Sequence, residues 1–129
     1  MGYIKHHAII VTSYSREHLA RAHTKAGMLF AGVTAITPMM PGHTSSFESF
    51  AVLPDGSKEG WDESDNGDAA RIAFKRWLDR QRWSDGSSPL EWCEVFYSAD
   101  DRASGTSANP WEGVAVGDSY DGPRDLEGL

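Results

Sequence analysis

An α+β sandwich is the fold class the sequence predicts. Three observations carry it: four short apolar segments at strand spacing, two segments at helical spacing, and their order, βαββαβ. Two split β-α-β halves within residues 1–98 fit a ferredoxin-like sandwich most simply, a four-stranded antiparallel sheet with both helices on one face. Residues 99–129 turn to Gly, Ser, Asp and Pro, with Trp111, Val114, Val116 and Tyr120 as sparse anchors. This composition predicts an irregular C-terminal tail outside the core.

The elements follow in order. Residues 4–12 are β-branched and apolar around Ile9, Ile10 and Val11, and read as the first strand. Ser13 or Ser15 is placed to cap a helix in which Leu19, Ala22, Ala26, Leu29 and Phe30 recur on one face. Gly32 sits where a helix C-terminus favours glycine. Residues 33–37 form a short second strand stopped by Pro38, and residues 47–53 a third, halted by Pro54 and the Asp55-Gly56 turn. Ser64 or Asp65 caps the second helix. Its apolar face is Ala70, Ala73, Phe74, Trp77 and Leu78, with Arg71, Lys75, Asp79 and Arg82 assigned to the opposite one. A turn at 85–89 leads into the fourth strand, 90–97.

At 129 residues and a formal charge of −7, the chain has one domain's length and an acidic balance. Duplex binding needs clustered Lys and Arg, so direct nucleic-acid contact is disfavoured, and a basic protein surface or cationic ligand is the better match. No apolar run reaches the roughly 20 residues that span a bilayer. The N-terminal MGYIKHHAIIVTS has too short an apolar stretch for a secretory signal. The lone Cys93 suits a reducing cytoplasm.

One stretch stands out. PDGSKEGWDESDNGD, residues 54–68, holds six carboxylates, one lysine and Trp61. A long polar connection in a small domain is commonly functional. Asp62-Glu63-Ser64-Asp65-Asn66-Gly67 opens like a calcium loop, but the ninth and twelfth places are Ala70 and Ala73, so an EF-hand is excluded. These acids then read as complements to a helix N-terminus.

Other motifs are incomplete. His43-Thr44-Ser45 matches a two-histidine phosphoesterase half-motif that needs a second copy, and there is none. His6 and His7 alternate across a strand, and His18 and His23 lie five apart on a helix, so neither pair chelates a metal. Gly56-Ser57-Lys58 lacks the earlier glycine of a phosphate loop. No metal or cofactor is therefore expected.

Strand alternation gives a guess at the uncovered sheet face. Taking the charged side as open assigns it Trp92, Glu94, Phe96, Glu48 and Phe50, with His6 or His7. Exposed aromatics of that kind predict a homo-oligomer interface built on Phe50, Trp92 and Phe96.

KHHAIIVTS, PDGSKEGWDESDNGDAAR and DGSSPLEWCEV together resemble a family of small, largely uncharacterised bacteriophage-encoded proteins, over about residues 3–98. The resemblance implies an accessory role in the cytoplasm of an infected bacterium, in host takeover or counter-defence. It brings no catalytic residue with it.

The function expected on these grounds is a non-catalytic binding module that engages a host protein or sequesters a small ligand. His43, Lys58, Trp61, Asp62 and Arg71 are its contacts. Two alternatives stay open: a structural protein of a virion or other phage assembly, and a small hydrolase using His43 or His7 with a carboxylate such as Asp62.

Overall fold

A computed structural model describes residues 4–98 and the backbone of residues 105–108. Its elements are β1 (His6–Ser13), α1 (Arg16–Leu29), β2 (Met40–Pro41), β3 (Glu48–Val52), α2 (Asp62–Arg80), β4 (Glu91–Tyr97) and β5 (Gly105–Ala108). They form one five-stranded sheet in the order β2-β3-β1-β4-β5, with every neighbouring pair antiparallel. The expected α+β class and the two helices hold. Within the 99–129 tail, residues 105–108 are not irregular but pair with β4, Cys93 opposite Ala108. The rest of that tail lies outside the described residues.

Both helices cover one face of the sheet. Ile9 and Val11 of β1, Phe50 and Val52 of β3 and Trp92 of β4 pack against Leu19, Ala22 and Ala26 of α1 and Phe74 and Leu78 of α2. Phe74 is the hub, edge-on to Phe30 and stacked on Trp77.

Burial corrects the expected sheet faces. Phe50, Trp92 and Phe96 are buried in the protomer, at 2%, 3% and 7% exposure, so they are not an open oligomer interface. The uncovered face carries Ile10, Cys93, Val95 and Tyr97 instead. Alternation was read correctly, but the charge of Glu94 pointed to the wrong side. Its carboxylate turns inward because α2 brings cations to meet it.

Two boundaries also shift. The second strand is 40–41 rather than 33–37, although Ile36 bridges Val52 and Thr37 N–H donates to Ala51 C=O at 2.9 Å. Pro38 has no N–H to continue that ladder. The Thr37 hydroxyl takes the Ala51 N–H itself at 2.8 Å, and regular pairing resumes one residue out of register. Helix α2 begins at Asp62, not after Ser64 or Asp65. The Trp61 C=O accepts from Ser64 and Asp65 N–H at 3.0 and 3.1 Å, while Asp62, Glu63 and Asp65 complement the positive helix end. The polar connection is thus a short loop, 54–61, followed by two helical turns.

Candidate functional site

Glu94 sits on β4 between Trp92 and Phe96 and faces the helices with 1% of its side chain exposed. A carboxylate taken out of water needs cations and donors close by. Helix spacing supplies them, since Asp68, Arg71, Ile72 and Lys75 share one face of α2 at three- and four-residue steps. Lys75 Nζ lies 2.5 Å from Glu94 Oε1 and is itself 1% exposed. Arg71 Nε lies 4.0 Å from Oε2. From β1, His7 Nδ1 reaches the same Oε2 at 3.0 Å, with its side chain 10% exposed.

Arg71 carries the network onward. Its guanidinium contacts Asp55 Oδ2 at 3.3 Å and Asp68 Oδ1 at 2.7 Å. Asp55 accepts in turn from the Ser57 N–H at 2.9 Å and the Ser57 hydroxyl at 2.7 Å, which closes the 54–61 loop onto α2. Gly67 makes room for this contact. A Cβ at that position would collide with the Asp55 carboxylate and crowd the Arg71 guanidinium.

Burial alone would raise the Glu94 carboxyl. The His7 hydrogen bond and the charge and hydrogen bond of Lys75 outweigh it and hold the group at about 2. Glu94 is therefore ionised at neutral pH and can only accept, so His7 Nδ1 must carry the proton it shares. Burial pushes the Lys75 ammonium below its ordinary value, Glu94 pulls it back up, and the Arg71 charge adds to the lowering. Burial would also raise Asp55, but the two Ser57 hydrogen bonds and Arg71 bring it below the usual range.

The cluster is not sealed. A cavity of about 210 Å³ opens against it, walled by His7, Arg71, Ile72, Lys75 and Glu94 and rimmed by Lys5, Glu59 and Asp68. At about 30 Å³ of liquid per water molecule, that is room for roughly seven waters. An Ile4–Lys58 bridge ties the loop to the start of the chain and so brings Lys5 and Glu59 to the same rim. Lys5 Nζ rests 4.5 Å above the Phe96 ring. On the other side of the Asp55–Arg71 contact, a second cleft of about 220 Å³ is lined by Gly32, Asp55, Ser57, Trp61, Glu63 and Asn66.

The expected contact residues do not all converge. Arg71 is central. Lys58 and Trp61 form a pair, with Nζ 5.8 Å from the ring centroid and Trp61 50% exposed at the mouth of the second cleft. Asp62 is the exposed first residue of α2 and has no part in the cluster. His43 is exposed in the β2–β3 turn, at the opposite end of β3 from the 54–61 loop. Five strand residues separate those ends by about 15 Å. His43 therefore does not share a site with Lys58 or Trp61, and His7 pairs with Glu94 rather than Asp62.

Glu94 and Lys75 were missed as site residues. The signal was present in the alternation Trp92-Glu94-Phe96, where one carboxylate interrupts an apolar face and demands a partner. Arg71 and Lys75, four apart, are the available answer, but helical periodicity alone places them on the solvent side of α2. Among the described residues, no three of His, Cys, Asp and Glu gather in a metal-holding group. Nor does any described helix have the length and apolarity to cross a membrane. No family profile, curated protein or solved structure matches the chain.

Proposed function

We propose that the protein is a small-ligand-binding module of ferredoxin-like fold, and that the cavity beside Glu94 is its site. The fold reading is supported by the central strand order, which is β4-β1-β3-β2 when read from the β5 side, with α1 and α2 as the crossovers. One observation carries the site reading: Lys75 and Glu94, both 1% exposed, form an ion pair on the wall of an open cavity. Apolar residues of similar volume would commonly stabilise a core as well or better, so a buried ion pair beside solvent-accessible space is better explained by a ligand than by stability.

The lining suggests what that ligand is. Lys5, Arg71 and Lys75 balance Glu59, Asp68 and Glu94, so neither a strong anion nor a strong cation is favoured. A small zwitterionic or polyhydroxylated molecule matches three charges of each sign in a space of about 210 Å³. A role in phage infection rests on the motif resemblance alone.

A thermal-shift screen of small polar metabolites tests the reading, with Ile72→Trp as the control that fills the cavity and leaves its charges in place. A ligand that stabilises the wild type and not Ile72→Trp is the expected result. If every stabilising compound acts equally on both proteins, the site is elsewhere.

The second reading is a protein contact at Trp61 and Lys58. It is favoured by a half-exposed tryptophan with a lysine ammonium beside its ring.

A further inference from the structure

We infer that the cavity hydrolyses small carboxylic esters, with His7 as the base that activates water. The inference rests on the cavity being a ligand site and adds chemistry to it. His7 lines the cavity, and its Nδ1 has the carboxylate partner that orients a histidine for general-base catalysis. Its Nδ1 donates to Glu94 at 3.0 Å, and Glu94 is itself fixed through its other oxygen by Lys75 at 2.5 Å. The ring also packs at 5.9 Å from Phe96, so its orientation is set from two sides. With the proton on Nδ1, a neutral imidazole presents its lone pair at Nε2. This is the arrangement in which a carboxylate orients a histidine for proton abstraction.

The other wall residues decide the reaction class. The described lining residues carry no hydroxyl and no thiol, and the nucleophile in the proposed step is water. Arg71 and Lys75 line the same cavity and supply the positive charge that a developing oxyanion needs. In the proposed step, Nε2 takes a proton from water as the water oxygen bonds to the ester carbonyl carbon. The tetrahedral oxyanion then collapses, the bond to the leaving alkoxide breaks, and the imidazolium returns its proton to that oxygen. Ester and water give acid and alcohol, with no other reactant.

The test uses p-nitrophenyl acetate as the probe and the full chain. The wild type is expected to release nitrophenolate about a hundredfold faster than His7→Gln, within the range a positioned base contributes. Ile72→Trp is expected to lose the same activity. Added imidazole should restore a saturable rate to His7→Ala above that of imidazole in buffer. Nitrogen NMR of the wild-type histidines supplies a measurement independent of any variant's folding, and the His7 ring must be the Nδ1–H tautomer when neutral. Equal rates for wild type and His7→Gln, or an Nε2–H tautomer, overturn the inference. A metabolite that binds the cavity while the nitrophenyl ester is not turned over overturns the chemistry and leaves the binding site standing.

Discussion

The two ends of the interface between α2 and the sheet are built from opposite materials. Toward its C-terminal half, α2 meets the sheet with Phe74 and Leu78, which pack with Phe30, Phe50 and Trp92 in a continuous hydrocarbon core. Less than a turn away, Arg71 and Lys75 meet the same sheet face with charge, against Glu94 and His7. The apolar end follows from the hydrophobic effect, and any residues of suitable volume would do roughly as well. The ionic end must instead satisfy each charge individually, and losing one member takes a close partner from the others. The comparison separates what holds the fold from what is placed upon it.

The largest effect expected from breaking either end is at Glu94. Replacing it with Ala leaves Lys75 and Arg71 buried without their shared carboxylate, at a cost of about 3–5 kcal/mol. Phe74→Ala belongs in the same range through its cavity. Chemical denaturation of the two variants distinguishes the causes when a paired replacement is added. Lys75→Met with Glu94→Leu should recover most of what Glu94→Ala loses, because it removes both charges together. No second substitution near Phe74 should rescue its cavity unless it refills the volume. If the double variant is as unstable as Glu94→Ala, the pair stabilises the fold more than an apolar core would, and the case for a ligand weakens.

Acid should weaken the ionic end and spare the apolar one. Glu94 has a folded-state value of about 2 against an ordinary 4.5. A carboxyl depressed in this way contributes stability that is complete above the unfolded value and is lost as pH falls from about 4.5 toward 2. Denaturation midpoints at pH 7 and pH 3 should therefore differ for the wild type by more than for the paired Met/Leu variant. Parallel acid profiles for the two proteins would place the loss at other carboxylates.

Much of the apolar end was legible in the sequence, and little of the ionic end was. Leu19, Ala22 and Ala26, and Phe74 with Leu78, are found by helical periodicity because hydrophobic burial is a one-body property of each residue. Glu94, Lys75 and His7 form a many-body property. Each looks like a surface residue until the register His7 opposite Phe96 and Ile9 opposite Glu94 brings the three together. The sheet face is hidden from the sequence for the same reason, since a charged strand position by itself reads as solvent-facing. The 54–68 segment was expected to be one polar loop carrying Lys58 and Trp61 as contacts, with Arg71 nearby. Its division into a loop and two turns of α2 could not be seen, because Trp61 caps the helix through its backbone alone.

A smaller perturbation lies where the loop joins the ionic end. Gly67→Ala raises helix propensity by about 1 kcal/mol, which on an open helix face would stabilise the protein. Here the added methyl pushes against the Asp55 carboxylate, which is held by Ser57 and Arg71. The expected outcome is net destabilisation, with a change in backbone amide shifts confined to residues 54–58 and 67–71. Stabilisation would mean that Asp55 moves aside freely and that the loop is not anchored to Arg71.

The smallest effects belong to Lys58 and Trp61, which lie in the 54–61 loop and take no part in the ionic cluster. The ammonium stands 5.8 Å from the ring centroid, and the ring is 50% exposed. A cation over an exposed aromatic contributes about 0.5–1 kcal/mol. Trp61→Ala removes this and some contact area along the second cleft, while the backbone cap it provides to α2 is unchanged. Lys58→Met and Trp61→Ala should each cost no more than about 1 kcal/mol, and a double-mutant cycle should assign most of that to their pairing. A loss of several kcal/mol at Trp61 alone would make the ring an anchor of the loop and remove the observation that favours a protein contact there. A near-silent substitution leaves a half-exposed tryptophan that folding does not require, and that outcome strengthens the second reading.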